Sequence, residues 1–192
     1  MIDKLTKLKE GNELTEPMKH YLEAERLSLI PLQAHSLALS LVNYGKMQTE
    51  LGLSVTRAIL EDEEMRYAMS VRLRKVLEDV DHYLWLTNWA IVLKEKNEII
   101  GYIMLKGLPN EAGEVITGYD IDEEYRRKGF ATEALNRLIQ WIFENPRALS
   151  LIADTEKNNI PSCKLLEHIG AIQYKETDEL IWWKIEKSKW QK

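Results

Sequence analysis

The chain has 192 residues, 45% of them apolar and 30% charged, with a formal net charge of −5. That length suits one domain with a buried core, the apolar content excludes disorder as the dominant state, and the negative charge excludes a global basic field for nucleic acid or anionic lipid. No apolar run approaches the ~18 residues of a membrane span, Cys163 has no second cysteine to pair with, and the opening MIDKLTKLKEGNELTEPMKH lacks a signal-peptide core, so a cytoplasmic protein with no nucleic-acid or membrane partner is expected.

Residues 1–18 are polar and lysine-rich and read as an N-terminal extension to a domain over 19–192. LEAERLSLIPL alternates Leu27 and Leu29 inward against Arg26 and Ser28, a first strand closed by Pro31. A short helix is expected from Gln33 to Asn43. A second, over 56–80, carries Met65, Ala68, Met69, Leu73, Val76, Leu77 and Val80 at the spacing of one buried face. NWAIVLKEKNEIIGYIML has two apolar runs around the polar turn Lys94–Glu98, a β-hairpin. A Gly/Pro loop leads to the strand EVITGYDID.

Next comes DIDEEYRRKGFATEAL, whose tail begins a helix with Ala131, Ala134, Leu135, Leu138, Ile139 and Ile142 on one face, stopped at Asn145-Pro146. ALSLIAD reads as a buried strand. In NIPSCKLLEHIG, Asn159 is the expected N-cap, Pro161 lies in the first turn and Gly170 caps the other end. AIQYKET and ELIWWKIE close the chain as strands, with Trp182 and Trp183 on opposite faces, one in the core and one free to wall an acceptor site or a dimer contact. The order predicts an α/β fold, a mixed sheet with helices on both faces.

A helix that begins near Ala131 leaves its first amides without intrahelical partners, facing the loop Arg126–Phe130. Gly129 permits a positive φ and close approach, Ala131 keeps bulk away, and Arg126, Arg127 and Lys128 add charge to an end worth up to ~2 kcal/mol to an anion. The plainer alternative is a turning glycine beside a solvated basic face. Glu133 reads as an ordinary first-turn residue. No GK[ST] follows the glycine, which excludes a P-loop. GFATEA with Asp154 loosely fits a dinucleotide fingerprint, but six mostly charged residues separate strand from glycine, and too little chain follows Asp154 for a doubly wound domain.

Arg126-Arg127-Lys128-Gly129-Phe130-Ala131 matches Q/R-x-x-G-x-G/A, and with GYDIDEEYRRKGFATEAL followed by NNIPSCKLLEHIGA it resembles the GNAT family of acetyl-CoA-dependent N-acetyltransferases, in particular the branch of Rim-type ribosomal-protein N-terminal acetyltransferases. The resemblance covers roughly residues 20–186. It implies a mostly antiparallel sheet splayed between the fourth and fifth strands, and coenzyme A with its pyrophosphate on the amides from Arg127 to Thr132. The pantetheine would pair with backbone around Ile121, and Asn159 and Ser162 would face it or the thiol.

The implied reaction is direct attack of a primary amine, from a small molecule or a protein N-terminus, on the thioester of acetyl-CoA. Deprotonating the amine at pH 7 costs about 4.6 kcal/mol for a lysine-like group and about 1.4 for an α-amine. Positioning contributes ~7–11 kcal/mol, so a strong base is not obligatory. Asp154 is the first candidate base and Asp120 the second; either acid has an alternative role as a loop cap. Leu166 stands where many members carry a tyrosine acid, leaving that role to Ser162, Tyr174 or solvent. Cys163 reads as core packing, and His20, His35, His82 and His168 have no metal-ligand spacing. The other class of function is a non-catalytic acyl-CoA binding module; a monomer and a homodimer both fit.

Overall fold

A computed structural model describes residues 21–190. The expected extension over 1–18, and His20, lie outside the described residues.

The elements are β1 (Leu22–Glu23), β2 (Leu27–Pro31), α1 (Ala34–Val42), α2 (Tyr44–Glu50), α3 (Glu63–Glu78), α4 (Tyr83–Leu86), β3 (Asn88–Leu93), β4 (Glu98–Leu105), β5 (Glu114–Ile121), a 3-10 turn (Glu123–Tyr125), α5 (Phe130–Glu144), β6 (Ser150–Glu156), α6 (Ile160–His168), β7 (Ile172–Glu176) and β8 (Leu180–Glu186). They build one sheet in the order β1-β2-β3-β4-β5-β6-β8-β7. Among the described strands, only β5 and β6 pair in parallel. With β1 counted, the expected splay between the fourth and fifth strands falls between β5 and β6.

Two cores flank the sheet. On one face, Leu27, Leu29, Ile103, Val115 and Ala153 pack under Leu135, Leu138 and Ile142 of α5 and Leu166 of α6. On the other, Ile30, Ala90, Ile99 and Tyr102 pack under Leu37, Met47, Met69 and Val76 of α1 to α3. The second group covers β2 to β4 alone. Beyond β4 that face carries Asp120, Asp154 and Lys184, outside the second group.

The predicted helix from 56 to 80 is shorter. It begins where Asp62 Oδ1 accepts from the Met65 amide at 2.9 Å, because residues 51–62 are tied elsewhere: buried Gln48 donates to Arg57 C=O and accepts from the amide and hydroxyl of Thr56. Leu77 and Val80, expected in its buried face, are 50% and 61% exposed. Arg72 is buried in that stripe instead, donating to the Leu105 carbonyl at 2.9 Å. Asn43 divides α1 from α2 and caps the latter through the Lys46 amide.

The parting of β5 and β6 is where the fold makes a site. Their pairing runs from Glu114↔Ser150 to Thr117↔Ala153 and stops, although β5 continues to Ile121 and β6 to Glu156. Each strand follows its other neighbour: β5 stays on β4 as far as Gly101↔Ile121, and β6 stays on β8 throughout. A bulge in β4 lets β5 come close there, and a Cβ on Gly101 would stand 2.3 Å from Asp120 C=O.

Candidate active site

Gly129 precedes α5 with φ 80°, and Arg127 has φ 61°. These left-handed residues wrap the backbone into a concave nest of N–H groups. The first α5 amide with a protein acceptor is that of Glu133, bonded to Gly129 C=O at 3.0 Å. The amides from Arg127 to Thr132 have none among the described residues. A Cβ on Gly129 would meet Arg26 Nη2 at 3.4 Å, so the glycine leaves the nest open on that side. Free amides, an open glycine and adjacent cations fit a diphosphate, the group that coenzyme A would bring here.

The basic residues of the loop do not act alike. Arg127 and Lys128 are exposed. Arg126 turns back along β5, its Nε on Ile121 C=O at 2.7 Å and its Nη2 on Asp120 Oδ1 at 3.1 Å. Phe130 is buried against Tyr125, so only its amide faces the nest. Sequence reasoning missed Arg26. From the β1–β2 turn its amide and Nε each meet one Glu133 oxygen at 2.7 Å, and its Nη1 donates to Lys128 C=O at 3.0 Å.

Direction within β5 follows from its hydrogen bonds. Asp122 N–H donates to Ile100 C=O and Ile116 C=O accepts from Lys106 N–H, so even-numbered residues turn their backbone to β4. Thr117, Tyr119 and Ile121 therefore turn theirs to the gap. The Ile121 carbonyl is already occupied by Arg126. The Tyr119 backbone and the Ile121 amide are the groups open to an added chain.

The side chains sort by face. Tyr119 reaches toward α6, its hydroxyl 2.6 Å from Ser162 Oγ. Burial raises its phenol above the ordinary value of 10.0, which keeps the group protonated. Asn159 is the expected cap, its Oδ1 accepting from the Ser162 amide at 3.2 Å. Cys163 packs with its Sγ 3.5 Å from Thr155 Oγ1, and Leu166 is fully enclosed. Tyr119 could not be singled out in the sequence, because its role depends on α6 arriving from 43 positions away.

Asp154 lies on the other face, opposite Trp182 on β8, with Lys106 Nζ 3.2 Å from its Oδ1. Asp120 shares that face and is held by Arg126. The structure thus brings Asp120 and Asp154 to one side of the sheet and Ser162 to the other. Tyr174, a possible proton source in the sequence, sits on edge strand β7, with β8 between it and β6. Its ring lies 5.1 Å from Lys184 Nζ, on the face that carries Asp154, and burial with the charges of Glu114 and Asp154 raises its phenol above the ordinary value. Trp183 is buried and Trp182 is not.

Past the gap on the Asp120 face is a cavity of about 500 Å³. It is lined by Arg57, Asp62, Asp120, Asp122, Glu123, Glu124 and Arg126. Burial, with Asp120 and Glu124 nearby, raises the Asp122 carboxyl despite its contact with Arg57.

The profile of the Acetyltransferase (GNAT) domain matches residues 26–172. The uncharacterized N-acetyltransferase YjdG of Bacillus subtilis (strain 168) is 33% identical over 96 residues, 50% of this chain and 57% of that protein; the chain spans about half the length of the curated relatives it matches. Among solved structures, ribosomal-protein-S5-alanine acetyltransferase from Vibrio fischeri superposes with a TM-score of 0.64 at 19% identity, covering 90% of this chain and 99% of that one. Mycobacterium smegmatis RimJ in complex with CoA-disulfide gives 0.63 at 16% identity, covering 89% of each chain. With the family profile spanning most of its length, and with a nest of free amides beside parted parallel strands, the chain belongs to the GNAT acetyltransferase family.

Proposed function

We propose that the protein moves an acetyl group from acetyl-CoA to a primary amine, on a small molecule or a protein N-terminus, by direct attack. One observation carries this reading: the unpartnered amides from Arg127 to Thr132 stand at the end of β5 where it has left β6, so an anion seat and a slot for an extended chain adjoin. The donor, when bound, supplies a thioester carbonyl open to nitrogen. The protein orients it: the nest holds the diphosphate, and the Tyr119 and Ile121 backbone takes the arm.

Asp154 is the first candidate to accept the amine proton, directly or through water, with Lys106 Nζ 3.2 Å from its Oδ1. Asp120, the second candidate base in the sequence, is paired with Arg126 and is given to binding of the acceptor instead. On the α6 side, the Tyr119 phenol with Ser162 is a proton store for the departing sulfur.

The acidic cavity gives the acceptor a character. Asp120 and Asp122 lie three and five residues beyond Thr117, the last β5 residue paired to β6, which is roughly 10–17 Å of strand. Carboxylates next to the reacting amine would hold it protonated and raise the cost of attack. At that distance they suit a second, non-reacting cation of the acceptor.

Calorimetry with coenzyme A, and turnover over a panel of amines with and without a second positive charge, test the proposal. Wild type should bind and turn over, and Gly129→Trp should lose binding while still folding cooperatively, with a melting temperature lowered by the strain of a side chain at φ 80°. Unchanged affinity in Gly129→Trp would refute the seat. Binding without turnover of any amine would leave the acyl-CoA binding module instead.

A further inference from the structure

Arg26 is separated from the loop by 102 residues of chain, yet it makes more contacts with the mouth of α5 than any of the three basic residues inside that loop. Its guanidinium lies 4.5 Å over the Phe130 ring, which fixes its plane. Nε is taken by Glu133 and Nη1 by Lys128 C=O. No acceptor among the described residues lies against Nη2, the nitrogen facing the open side of Gly129.

The arrangement also solves a problem that α5 creates for itself. A carboxylate in the first turn is the natural competitor for free helix amides, and here it would repel a phosphate as well. Glu133 is that carboxylate, and both of its oxygens are turned onto Arg26. One residue thus neutralises the competitor, pins a carbonyl of the loop, and keeps one donor spare.

We infer that Arg26 is a diphosphate-binding residue of the nest, and that Glu133 serves to aim it. The inference rests on the donor site proposed above and adds to it a charge from outside the motif. A guanidinium presented in a fixed plane pairs with phosphate oxygens better than a mobile ammonium does.

The test is the affinity of the full chain for coenzyme A and for 3′-dephospho-coenzyme A by calorimetry, in wild type, Arg26→Met, Arg26→Lys and Glu133→Gln, with a melting curve for each. Loss of a hydrogen bond to a charged group predicts about a 10- to 100-fold weaker Kd in Arg26→Met. The loss should be equal for the two ligands, since both carry the diphosphate. Arg26→Lys should recover part of it, and Glu133→Gln should weaken binding severalfold.

Arg26→Met within twofold of wild type, with Gly129→Trp inactive in binding, would overturn the role of Arg26 and leave the donor site standing. Loss confined to coenzyme A would assign Arg26 to the 3′-phosphate and overturn the diphosphate assignment. If Gly129→Trp also binds normally, the donor site fails and this inference with it. Should Arg26→Met melt far below wild type, Arg26→Lys decides: weaker binding of both ligands with an intact fold supports the assignment, and wild-type affinity for both overturns it.

Discussion

At the scale of single residues, the proposed mechanism divides proton work between the two faces of one sheet. Asp154 and Tyr119 belong to neighbouring strands, but the alternation of side chains sends the first toward Lys106 and the second toward Ser162. A base on one side and an acid on the other can act on the same reacting centre in the gap without meeting. Asp154→Asn should therefore lower kcat by roughly 10²-fold with little change in KM. Tyr119→Phe should lower kcat as well, through loss of its hydroxyl beside Ser162. Turnover of Asp154→Asn equal to wild type across the pH range would remove it as the base. The place of Asp154 near the end of a strand was legible in the sequence. Tyr119 and Arg26 were not, because each is defined by a partner that only the fold brings near.

Among elements, the gap exists only because β5 and β6 stay joined below it. Their parallel pairing is short, and a side-chain link spans it: Glu114 on β5 and Lys184 on β8 meet at 2.8 Å across β6 on the open face. The hydrogen bond from Lys184, opposed by some burial, lowers the Glu114 carboxyl below its ordinary 4.5. A carboxyl depressed by folding contributes stability above its unfolded value, and that contribution disappears as pH falls through the folded value. Glu114→Gln should thus cost about 0.5–1 kcal/mol at pH 7, with the gap to wild type closing below pH 4 in urea titrations. A difference that persists at pH 3 would show that the charge is not what the link depends on. The helices bordering the gap were readable because their signals are local: Gly129 before α5, and Asn159, Pro161 and Gly170 around α6. The stretch 51–62 was not readable, since Gln48 holds it from another helix, and buried Arg72 looks in a sequence like any solvated charge in a helical stripe.

For the molecule as a whole, the parted strands form a seam between two bodies of sheet, β1 to β5 and β6 with β7 and β8. The core under α5 and α6 spans both, with Ile121 and Tyr125 on one side and Ala153, Cys163 and Leu166 on the other. A ligand in the gap would supply the strand-like backbone pairing that the seam lacks beyond Thr117↔Ala153, so binding should tighten the seam. At coenzyme A one hundred times its Kd, linkage predicts about 2.7 kcal/mol of added stability, or roughly 5–11 °C in Tm for a chain of this size. Hydrogen exchange gives the location. The amides of Tyr119 and Ile121, which face the gap, should slow markedly on binding, as should those from Arg127 to Thr132, whereas the already paired amides of β3 should not respond beyond the global shift. Slowing in the helix mouth without slowing at Tyr119 and Ile121 would mean that the diphosphate is held but the arm does not lie along β5, and attack at the parted strands would have to be abandoned.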